Sequence, residues 1–455
     1  MLDQTFSARN FKLISALENR KGFNCAVFFP DVMAKHNEVK ATVSKINKLK
    51  KNAKTPYSST VQSKYDALMV AKKDLMKERD KLLFANLEPI AKTVSSPSFE
   101  IKFNKRTGPT GKTIFVLPND PASYYSVKLI SRNLARLYKV RQANKNLICS
   151  QLHTLLQDGY PYYFIRLDIS NFYESIDQNL LIEKLEKDGL LNATSLRLIK
   201  RILKNYSNLS GTADRGLPRG IGSSAYLSEL YLRDFDNLVR KGANVIYYAR
   251  YVDDIIVGIA PPKGKNTTDY DVWIEQLLPK FKLEKNITKS DSFNKTESNW
   301  VLKYLGYKFE KNSNNVKVNI SDEKHTRYEN RLKACFDAYE MEHWKDTKAA
   351  HRLLVRRLKF LTGNTKLKHT KKNAYVGIFF TNPLLNNFDQ LVDLDQKKTT
   401  LAARPSISTK LKAKLDGLSF ETGFKNRSYY HVGRTKHFGK DIEFEKIVSA
   451  WKYVP

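Results

Sequence analysis

The chain has 455 residues, 41% of them hydrophobic, which allows two or three domains with substantial cores and excludes a disordered protein. Lysine and arginine (79) exceed aspartate and glutamate (46) by 33. An excess of that size repels itself in a compact fold, so it indicates a polyanionic partner, with nucleic acid as the first candidate. An anionic membrane is the second candidate, but no apolar run approaches the roughly 18 residues of a membrane span.

The cysteines argue against a metal-stabilised or disulfide-stabilised scaffold. Cys25, Cys149 and Cys335 lie far apart in the sequence and form no CxxC pattern. This usage is typical of a reducing compartment. The first residues do not have the pattern of a signal peptide. We therefore expect a cytoplasmic protein that does not bind a membrane.

Residues 1–95 are predicted to form an N-terminal helical region with two basic helices within residues 35–83. A break at residues 55–60 separates the two helices. Each carries one apolar stripe, which consists of Val39, Val43 and Ile46 on the first helix and of Leu68, Leu75 and Leu82 on the second. Such a pair is commonly a solvated helical hairpin, and we assign it no function from the sequence.

Residues 99–117 are predicted to form a β-hairpin, because apolar residues alternate with polar ones on both sides of a Thr-Gly-Pro-Thr-Gly turn. Four cations lie near its tip: Lys102, Lys105, Arg106 and Lys112.

Two basic stripes at helical pitch are predicted to follow a phosphate backbone. The first lies on a helix that begins at about Ala122, and it comprises Lys128, Arg132, Arg136 and Lys139. The second lies in the region past residue 320, which we predict to be mostly helical, and it comprises Lys348, Arg352, Arg356 and Lys359.

Three aspartates are the candidate catalytic residues. Asp168 ends a short apolar strand, and Asp253 and Asp254 lie between two segments rich in β-branched and aromatic residues, where we predict a hairpin turn. Adjacent acids at a buried turn are unfavourable unless a cation neutralises them. Between the two sites comes a glycine-rich segment, residues 216–224, whose bare backbone would allow a ligand to approach closely.

The order of these features indicates two-metal nucleotidyl transfer. Carboxylates from neighbouring strands can bridge two divalent cations that hold the attacking 3′ oxygen and the leaving pyrophosphate. Mg²⁺ prefers carboxylate oxygen, and Mn²⁺ is a suitable substitute. We predict that Asp168, Ile169, Asp253 and Asp254 hold two Mg²⁺ ions and that the three aspartates are catalytic.

The ordered set resembles the palm of a reverse transcriptase, in which the Tyr-x-Asp-Asp hairpin corresponds to residues 251–254. Residues 283–286 with Lys289 are similar to the palm segment whose lysine faces the incoming triphosphate. Residues 304–307 are similar to the primer grip, with Leu305, Gly306 and Tyr307 at its turn. The resemblance implies an α+β right-hand polymerase fold, with fingers and palm over residues 96–320 and a helical thumb and basic C-terminal domain over residues 321–455.

The resemblance also implies an RNA-directed DNA polymerase that uses an RNA template and dNTPs and makes a DNA product. Tyr173, five residues after Asp168, becomes the steric gate that excludes a ribose 2′ hydroxyl. The hairpin cations become candidates for binding the triphosphate. Arg219 and Gly220 fall near the incoming nucleotide, but many relatives have Pro-Gln-Gly where this chain has Pro-Arg-Gly, so template use or fidelity is expected to differ.

Residues 357–364, 376–382 and 218–232 are similar to the corresponding segments of bacterial defence-associated and abortive-infection reverse transcriptases. This narrower resemblance implies a bacterial cytoplasmic enzyme of antiviral defence with a companion noncoding RNA. No acid-bearing ribonuclease H pattern follows the polymerase region, which favours a host-serving enzyme. A protein partner or a homo-oligomer is left open.

Three alternatives stay open from the sequence. The enzyme could synthesise DNA without a template or from a protein hydroxyl. It could be an RNA-dependent RNA polymerase, against which the Tyr-x-Asp-Asp hairpin and Tyr173 both argue. It could be a nucleic-acid-binding scaffold with an idle palm, although all three acids are present.

Overall fold

The computed structural model describes residues 2–52, 57–108, 111–312, 315–369, 372–432 and 441–452. Within these ranges no helix combines the length and the apolar character needed to cross a membrane. The helices, in chain order, are α1 Ala8–Lys21, α2 Pro30–Asn52, α3 Ser59–Ser95, α4 Pro121–Leu137, α5 Lys145–Gln157, α6 Phe172–Ser175, α7 Gln178–Asp188, α8 Ala193–Ser210, α9 Ser224–Tyr231, α10 Arg233–Arg240, α11 Thr268–Leu277, α12 Asp322–Glu342, α13 Thr347–Thr362, α14 Asp389–Leu401, α15 Thr409–Asp416, α16 Phe420–Asn426 and α17 Asp441–Ser449.

The strands, in chain order, are β1 Asn104–Thr107, β2 Thr113–Val116, β3 Tyr163–Asp168, β4 Val245–Tyr251, β5 Asp254–Ile259, β6 Asp291–Asn294, β7 Asn299–Tyr304, β8 Tyr307–Asn312, β9 Asn315–Ile320, β10 Asn364–His369, β11 Lys372–Gly377 and β12 Tyr430–Val432. Short 3₁₀ helices occur at Cys25–Phe28 and Leu278–Phe281. The predicted α+β class, with antiparallel sheet and a large helical content, is confirmed.

The first of two compact units comprises Met1–Thr107, Thr113–Arg141 and Tyr173–Leu232. Its helix α4 begins as predicted, because the Asp120 carboxylate accepts hydrogen bonds from the first backbone amides and Pro121 suits the first helical position. One face of α4 is fully buried through Tyr125, Leu129 and Leu134. The predicted hairpin is the antiparallel pair β1–β2, which is shorter than the alternating pattern suggested.

The two predicted basic helices are α2 and α3 of the first unit. They pack against each other, and Val39 and Ile46 of α2 are buried along the seam between them. The Ser58 hydroxyl accepts a hydrogen bond from the Val61 amide and so defines the start of α3. Helix α3 also contacts α1 and α4.

The second unit comprises Gly108–Lys112, Gln142–Phe172 and Arg233–Pro455. It contains a four-stranded sheet with the order β4-β5-β3-β6, in which every neighbouring pair is antiparallel. Strand β3 is almost completely buried, which explains its nearly continuous apolar sequence. Strand β5 pairs with β3 as far as Asp168, whereas β6 pairs with β3 only as far as Arg166, so Asp168 lies beside β5 and beyond the end of the β6 pairing.

A three-stranded antiparallel sheet with the order β7-β8-β9 follows, and then α12 and α13. These elements share one apolar core, in which Phe309, Phe336, Leu354 and Phe420 are fully buried. The region past residue 320 departs from the mostly helical prediction, because β10, β11 and β12 form a further sheet. The lysine-rich β10 has little apolar alternation, so its sequence carries only a weak strand signal.

Candidate active site

The turn between β4 and β5 presents the paired acids. Val252 and Asp253 are its two central residues, since Tyr251 pairs with Asp254 across the hairpin. Val252 has a φ of +63°, as the first central residue of a type II′ turn does. A β-branched residue rarely adopts this conformation, because its side chain crowds the backbone. Such strain concentrates at functional sites.

The sheet brings Asp168 beside this turn. Asp168 and Asp254 are register partners on β3 and β5, and the Ile169 amide donates a hydrogen bond of 3.3 Å to the Asp253 carbonyl. Asp168 is only 5% exposed. The three predicted catalytic residues and Ile169 are therefore adjacent, on neighbouring strands.

Two residues that the sequence analysis gave no role hold Asp168 in place. The Asn286 side-chain amide donates to Asp168 Oδ1 at 2.9 Å, and the Asn286 backbone amide donates to the Asp168 carbonyl at 2.8 Å. The Asp168 amide donates to Ser290 Oγ at 3.0 Å. Lys289 Nζ, a predicted nucleotide contact, lies 3.8 Å from Asp168 Oδ2 with most of its side chain exposed. Asn286 leaves one carboxylate oxygen of Asp168 for a cation.

Asp254 pairs with Arg166, which lies on β3 two residues before Asp168. The Arg166 Nη2 atom donates to Asp254 Oδ1 at 3.1 Å. Burial raises the pKa of Asp254, and the carboxylates of Asp168 and Asp253 add to the shift although the Arg166 guanidinium opposes it. Arg166 could have been found from the sequence, because a cation among the apolar residues of a short strand indicates a buried acidic partner.

The three carboxylates fit a divalent-cation site. Like charges converge in a half-buried place, where Arg166 pairs with Asp254 and Lys289 lies near Asp168. Bringing like charges together is unfavourable unless cations compensate them. Hard cations such as Mg²⁺ prefer carboxylate oxygens, so these residues suit the predicted ions.

Arg250 supports the catalytic turn from inside the sheet. Its guanidinium forms a bidentate, buried ion pair with Asp236 at 2.8 Å for both contacts, and its Nη1 atom donates to the Val252 carbonyl at 2.9 Å. The Tyr248 hydroxyl donates to the same Asp236 carboxylate at 2.5 Å. The backbone of the strained turn is thus tied to a buried charge network.

The predicted primer-grip turn lies between β7 and β8. Leu305 and Gly306 have φ angles of +47° and +76°, which a type I′ turn requires at both central positions. Tyr304 and Tyr307 flank the turn and are almost fully buried. The Tyr304 hydroxyl donates to the Asp254 carbonyl at 3.2 Å, so the turn is connected directly to the catalytic strand.

Two lysines lie against this second turn. The Nζ atoms of Lys145 and Lys324 are 5.9 Å and 5.5 Å from the ring centre of Tyr307. A Cβ on Gly306 would meet Lys145 Nζ at 3.4 Å. Burial, with the positive charges of Lys145 and Arg327, lowers the pKa of Lys324 to about 7. The turn is therefore a place where positive charges converge.

Comparison with known proteins assigns this geometry to a family. The family model described as "Reverse transcriptase (RNA-dependent DNA polymerase)" matches residues 121–309, the segment that contains the three aspartates and both turns. The chain contains a reverse transcriptase domain. The predicted enzyme class, RNA-directed DNA polymerase, is the class of this domain. No curated protein sequence matches the chain.

The chain is also similar to solved telomerase structures, at low identity. Apo telomerase from Candida tropicalis is 13% identical over 77% of this chain and 60% of that chain, with a TM-score of 0.36. Telomerase from Candida albicans in complex with a TWJ fragment of telomeric RNA is 12% identical over 70% of this chain and 62% of that chain, with a TM-score of 0.35. The chain spans less than two thirds of the length of each telomerase.

The first unit contains Tyr173, Arg219 and Gly220, three of the residues that we predict to bind the nucleotide. The Arg219 guanidinium lies 4.9 Å from the ring centre of Tyr173 and forms a bidentate ion pair with Glu174, at 2.6 Å and 2.8 Å. Gly220 has a φ of +97°, and a Cβ there would meet the Phe115 carbonyl oxygen at 2.5 Å. The space beside the Gly220 backbone is therefore occupied by strand β2. We had predicted from the sequence that a ligand would approach the backbone there.

The predicted triphosphate-binding cations of the hairpin β1–β2 are exposed. Lys105 and Arg106 lie on β1, Lys102 precedes it and Lys112 follows the turn, of which residues 109 and 110 lie outside the described part of the chain. The exposed positions are compatible with a phosphate contact, and the role of each cation stays a prediction.

The first basic stripe is partly engaged within the first unit. Lys128 Nζ pairs with the buried Glu18 carboxylate of α1 at 2.7 Å, and Arg132 Nε and Nη1 are buried without a recorded partner among the described residues. Arg136 and Lys139 are exposed. The neutralising acid comes from another helix, so the stripe looked purely basic in sequence.

The second basic stripe lies on α13 in the second unit. Lys348 and Arg352 are exposed, whereas Arg356 and Lys359 are half-buried, and burial lowers the pKa of Lys359. Four apolar residues of the same helix are buried: Ala350, Leu354, Leu358 and Leu361. Contact of either stripe with nucleic acid stays a prediction.

Within the described part of the chain, His325, Glu329 and Asp393 form a cluster that could hold a metal ion. Their ligand atoms lie within 4.8 Å of one another. Lys397 Nζ contacts both carboxylates of this group, at 2.8 Å for Asp393 and more closely for Glu329. An ammonium therefore already neutralises these acids.

Proposed function

We propose that the protein is an RNA-directed DNA polymerase that extends a primer with dNTPs by two-metal nucleotidyl transfer. The observation that carries this proposal is the meeting of Asp168, Asp253 and Asp254 on neighbouring strands of a reverse transcriptase domain. Asp168, Ile169, Asp253 and Asp254 would hold two Mg²⁺ ions. When bound, these ions activate the primer 3′ oxygen and stabilise the charge of the leaving pyrophosphate.

The neighbours of the three aspartates orient them before any ligand arrives. Asn286 fixes the Asp168 carboxylate, Arg166 fixes Asp254, and Arg250 fixes the turn that carries Asp253. Such preorganisation removes the need for reorganisation during the reaction. Lys289, beside Asp168 and largely exposed, would bind the negative charge of the incoming triphosphate.

Selection of the sugar would depend on Tyr173 and Arg219. Because Glu174 fixes the guanidinium and the guanidinium contacts the ring, Tyr173 has a supported position. A rigid ring excludes an additional hydroxyl more sharply than a mobile one, because it cannot yield to it. We propose that Arg219 stabilises the gate in this enzyme.

The primer end would be held at the Leu305–Gly306 turn. The bare Cα of Gly306 allows a backbone to approach closely, and the ammonium groups of Lys145 and Lys324 offer charge to a phosphate. The hydrogen bond from Tyr304 to Asp254 would keep this primer contact in register with the catalytic aspartates.

We propose a role in bacterial antiviral defence, with a companion noncoding RNA, in the cytoplasm. The support is the resemblance of residues 218–232, 357–364 and 376–382 to defence-associated enzymes, together with the net charge of +33. Expression of the gene with its flanking DNA, followed by phage plaque counts, tests this role. We expect protection that Asp253→Asn abolishes. Equal protection by the variant would favour an idle palm.

The enzymatic proposal is tested by primer extension on a defined RNA template with labelled dNTPs or NTPs. We expect Mg²⁺-dependent DNA products whose sequence complements the template. Products that do not depend on the added template would favour untemplated synthesis, and products sensitive to protease would favour a protein primer. Robust use of NTPs would overturn the role of Tyr173.

A further inference from the structure

The α2–α3 pair distributes its charges unevenly along its length. At its base, residues 30–39 and 74–95, acids are interspersed with cations: Asp31, Glu38, Asp74, Glu78, Asp80 and Glu88. Several of these charges pair with each other. Lys35 Nζ lies 3.0 Å from Glu38 and 3.1 Å from Glu78, and Arg79 lies 2.7 Å from Asp80. The base has the mixed signs of an ordinary solvated helical surface.

The outer part of the pair, residues 40–52 and 57–73, is here called the basic arm. It has eight lysines and one acid, Asp66, whose carboxylate accepts a hydrogen bond from Gln62 at 3.0 Å. All of the lysines except Lys72 are exposed. Among the described residues of the arm, no lysine lies within ion-pair distance of a carboxylate. The arm therefore carries a concentrated positive charge that the protein does not neutralise.

Four of the five lysines that α2 contributes to the arm lie on one half of the helix, and the fifth, Lys50, falls on the side of Val39. At 100° per residue, Lys40, Lys45, Lys48 and Lys51 fall on the side opposite the buried Val39 and Ile46. They extend over roughly 17 Å of helix, at ~1.5 Å per residue. A stripe of that length can contact several successive phosphates.

We propose that the basic arm binds the phosphate backbone of an RNA duplex, which names a surface for the RNA partner of the proposed function. The arm offers little to unpaired bases. Its aromatic residues are Tyr57 and Tyr65, whose ring centres are 6.2 Å apart, and Lys50 Nζ lies 5.1 Å from the Tyr65 ring centre. Recognition of single strands depends on free rings for stacking, whereas duplex RNA is recognised through its backbone. RNA is favoured over DNA because the proposed function uses an RNA template and a companion RNA.

The experiment compares two triple variants of the full chain in their binding to a 20-bp RNA duplex. Lys45→Gln/Lys48→Gln/Lys51→Gln removes three charges from the arm. Lys77→Gln/Lys81→Gln/Lys92→Gln removes three exposed lysine charges from the base, so it is the matched control. Glutamine preserves helix propensity. The affinity of each is measured by fluorescence anisotropy at several KCl concentrations, and the helix content by circular dichroism.

We expect the arm variant to bind duplex RNA about tenfold or more weakly and its logarithmic salt dependence to flatten by roughly 2–3 units, at ~0.9 per lost phosphate contact. The control variant should change affinity less than twofold. An equal loss in both variants, or none in either, would overturn the proposal. So would an equal loss for single-stranded RNA and duplex DNA of the same length, which indicates general charge attraction. Unchanged RNA binding with loss of a co-purifying protein would assign the arm to a protein partner and also overturn it.

These measurements separate the arm from the polymerase site. They are made without dNTPs and repeated in the Asp253→Asn background, so they give a result even if the chain does not polymerise. The arm variant should also extend a short pre-annealed primer–template at the wild-type maximal rate, because the arm contains none of the residues proposed for the polymerase site.

Discussion

The catalytic turn and the primer-grip turn of the second unit are both two-residue hairpin turns, but the side chains around them carry opposite charges. Both are two-residue β-hairpin turns with a positive φ at the first central position, Val252 in one and Leu305 in the other. The first concentrates aspartates, and the second is surrounded by lysines. Burial shifts the pKa of Asp254 upwards and that of Lys324 downwards, so each turn disfavours its own charge when alone. Each turn therefore favours a partner of the opposite sign, which under the proposed function would be metal cations at one and phosphate at the other.

The largest expected effect is at the catalytic turn. Asp253→Asn should lower the single-turnover rate of primer extension by about 10³-fold or more, because it removes a metal-bridging carboxylate. Asp291→Asn, an exposed aspartate on β6 of the same sheet, is the matched control and should change the rate less than twofold. A rate within tenfold of wild type for Asp253→Asn would contradict the assignment.

A smaller effect is expected from the support of that turn. Arg250→Met removes the hydrogen bond to the Val252 carbonyl and leaves the Asp236 carboxylate without its ion-pair partner. We expect kcat to fall about 10–100-fold with little change in the KM for primer, since Arg250 acts by positioning the turn.

Tyr248→Phe separates this positioning role from general damage to the buried network. It removes one hydrogen bond to Asp236 and leaves Arg250 in contact with the turn. The loss of kcat should be within a few-fold. Equal losses of kcat for the two variants would show that a lost partner of the buried Asp236 carboxylate lowers kcat, and that the contact of Arg250 with the turn does not.

The primer-grip turn should respond to pH. In the enzyme without primer, Lys324 has a pKa of about 7, so it loses its positive charge as the pH rises through this value. Because the neutral amine attracts a phosphate less strongly, the KM for primer should rise about 5–10-fold between pH 6.5 and pH 8.5. Lys324→Arg stays protonated throughout and should flatten that profile. Lys308→Arg, on β8 of the same sheet, should retain the wild-type profile. A Lys324→Arg profile that matches wild type would remove Lys324 from the primer site.

The smallest effect concerns the backbone of the primer-grip turn. Gly306→Ala should reduce the free energy of unfolding by about 1 kcal/mol, because alanine disfavours a φ of +76°. Gly159→Ala is the control, since a Cβ there meets nothing within 4 Å and its φ lies outside the left-handed region. Urea denaturation measures both. Equal changes in the free energy of unfolding for the two variants would show that alanine is not destabilised by the left-handed conformation at position 306.

The sequence was sufficient for the features that one segment carries by itself. The order of Asp168, the glycine-rich segment and the Tyr-x-Asp-Asp turn predicted the fold class and the closeness of the three aspartates, because each has a local pattern. The supporting residues Asn286, Arg166 and Arg250 were not predicted. Their contacts depend on which strands are neighbours and in which register, and a single sequence does not contain that information directly.

The sequence also could not show which charged side chains have a partner in the folded protein. Lys128 belonged to an apparently basic stripe, but Glu18 of α1 neutralises it. The α2–α3 pair shows the reverse case. It was predicted as an ordinary solvated pair, and only the structure separates the paired charges of its base from the unpaired charges of its arm. Whether a cation is available depends on neighbours that are distant in sequence.

The Tyr304 hydroxyl has a consequence for the timing of catalysis. A single hydrogen bond couples the strand that ends in the primer-grip turn to the strand that begins with Asp254. A displacement of that turn of about 1 Å is enough to break such a bond, because its strength falls steeply with distance. Under the proposed function, a mismatched primer terminus that shifts the turn would break the hydrogen bond between Tyr304 and Asp254. The enzyme would then pause before it adds the next nucleotide.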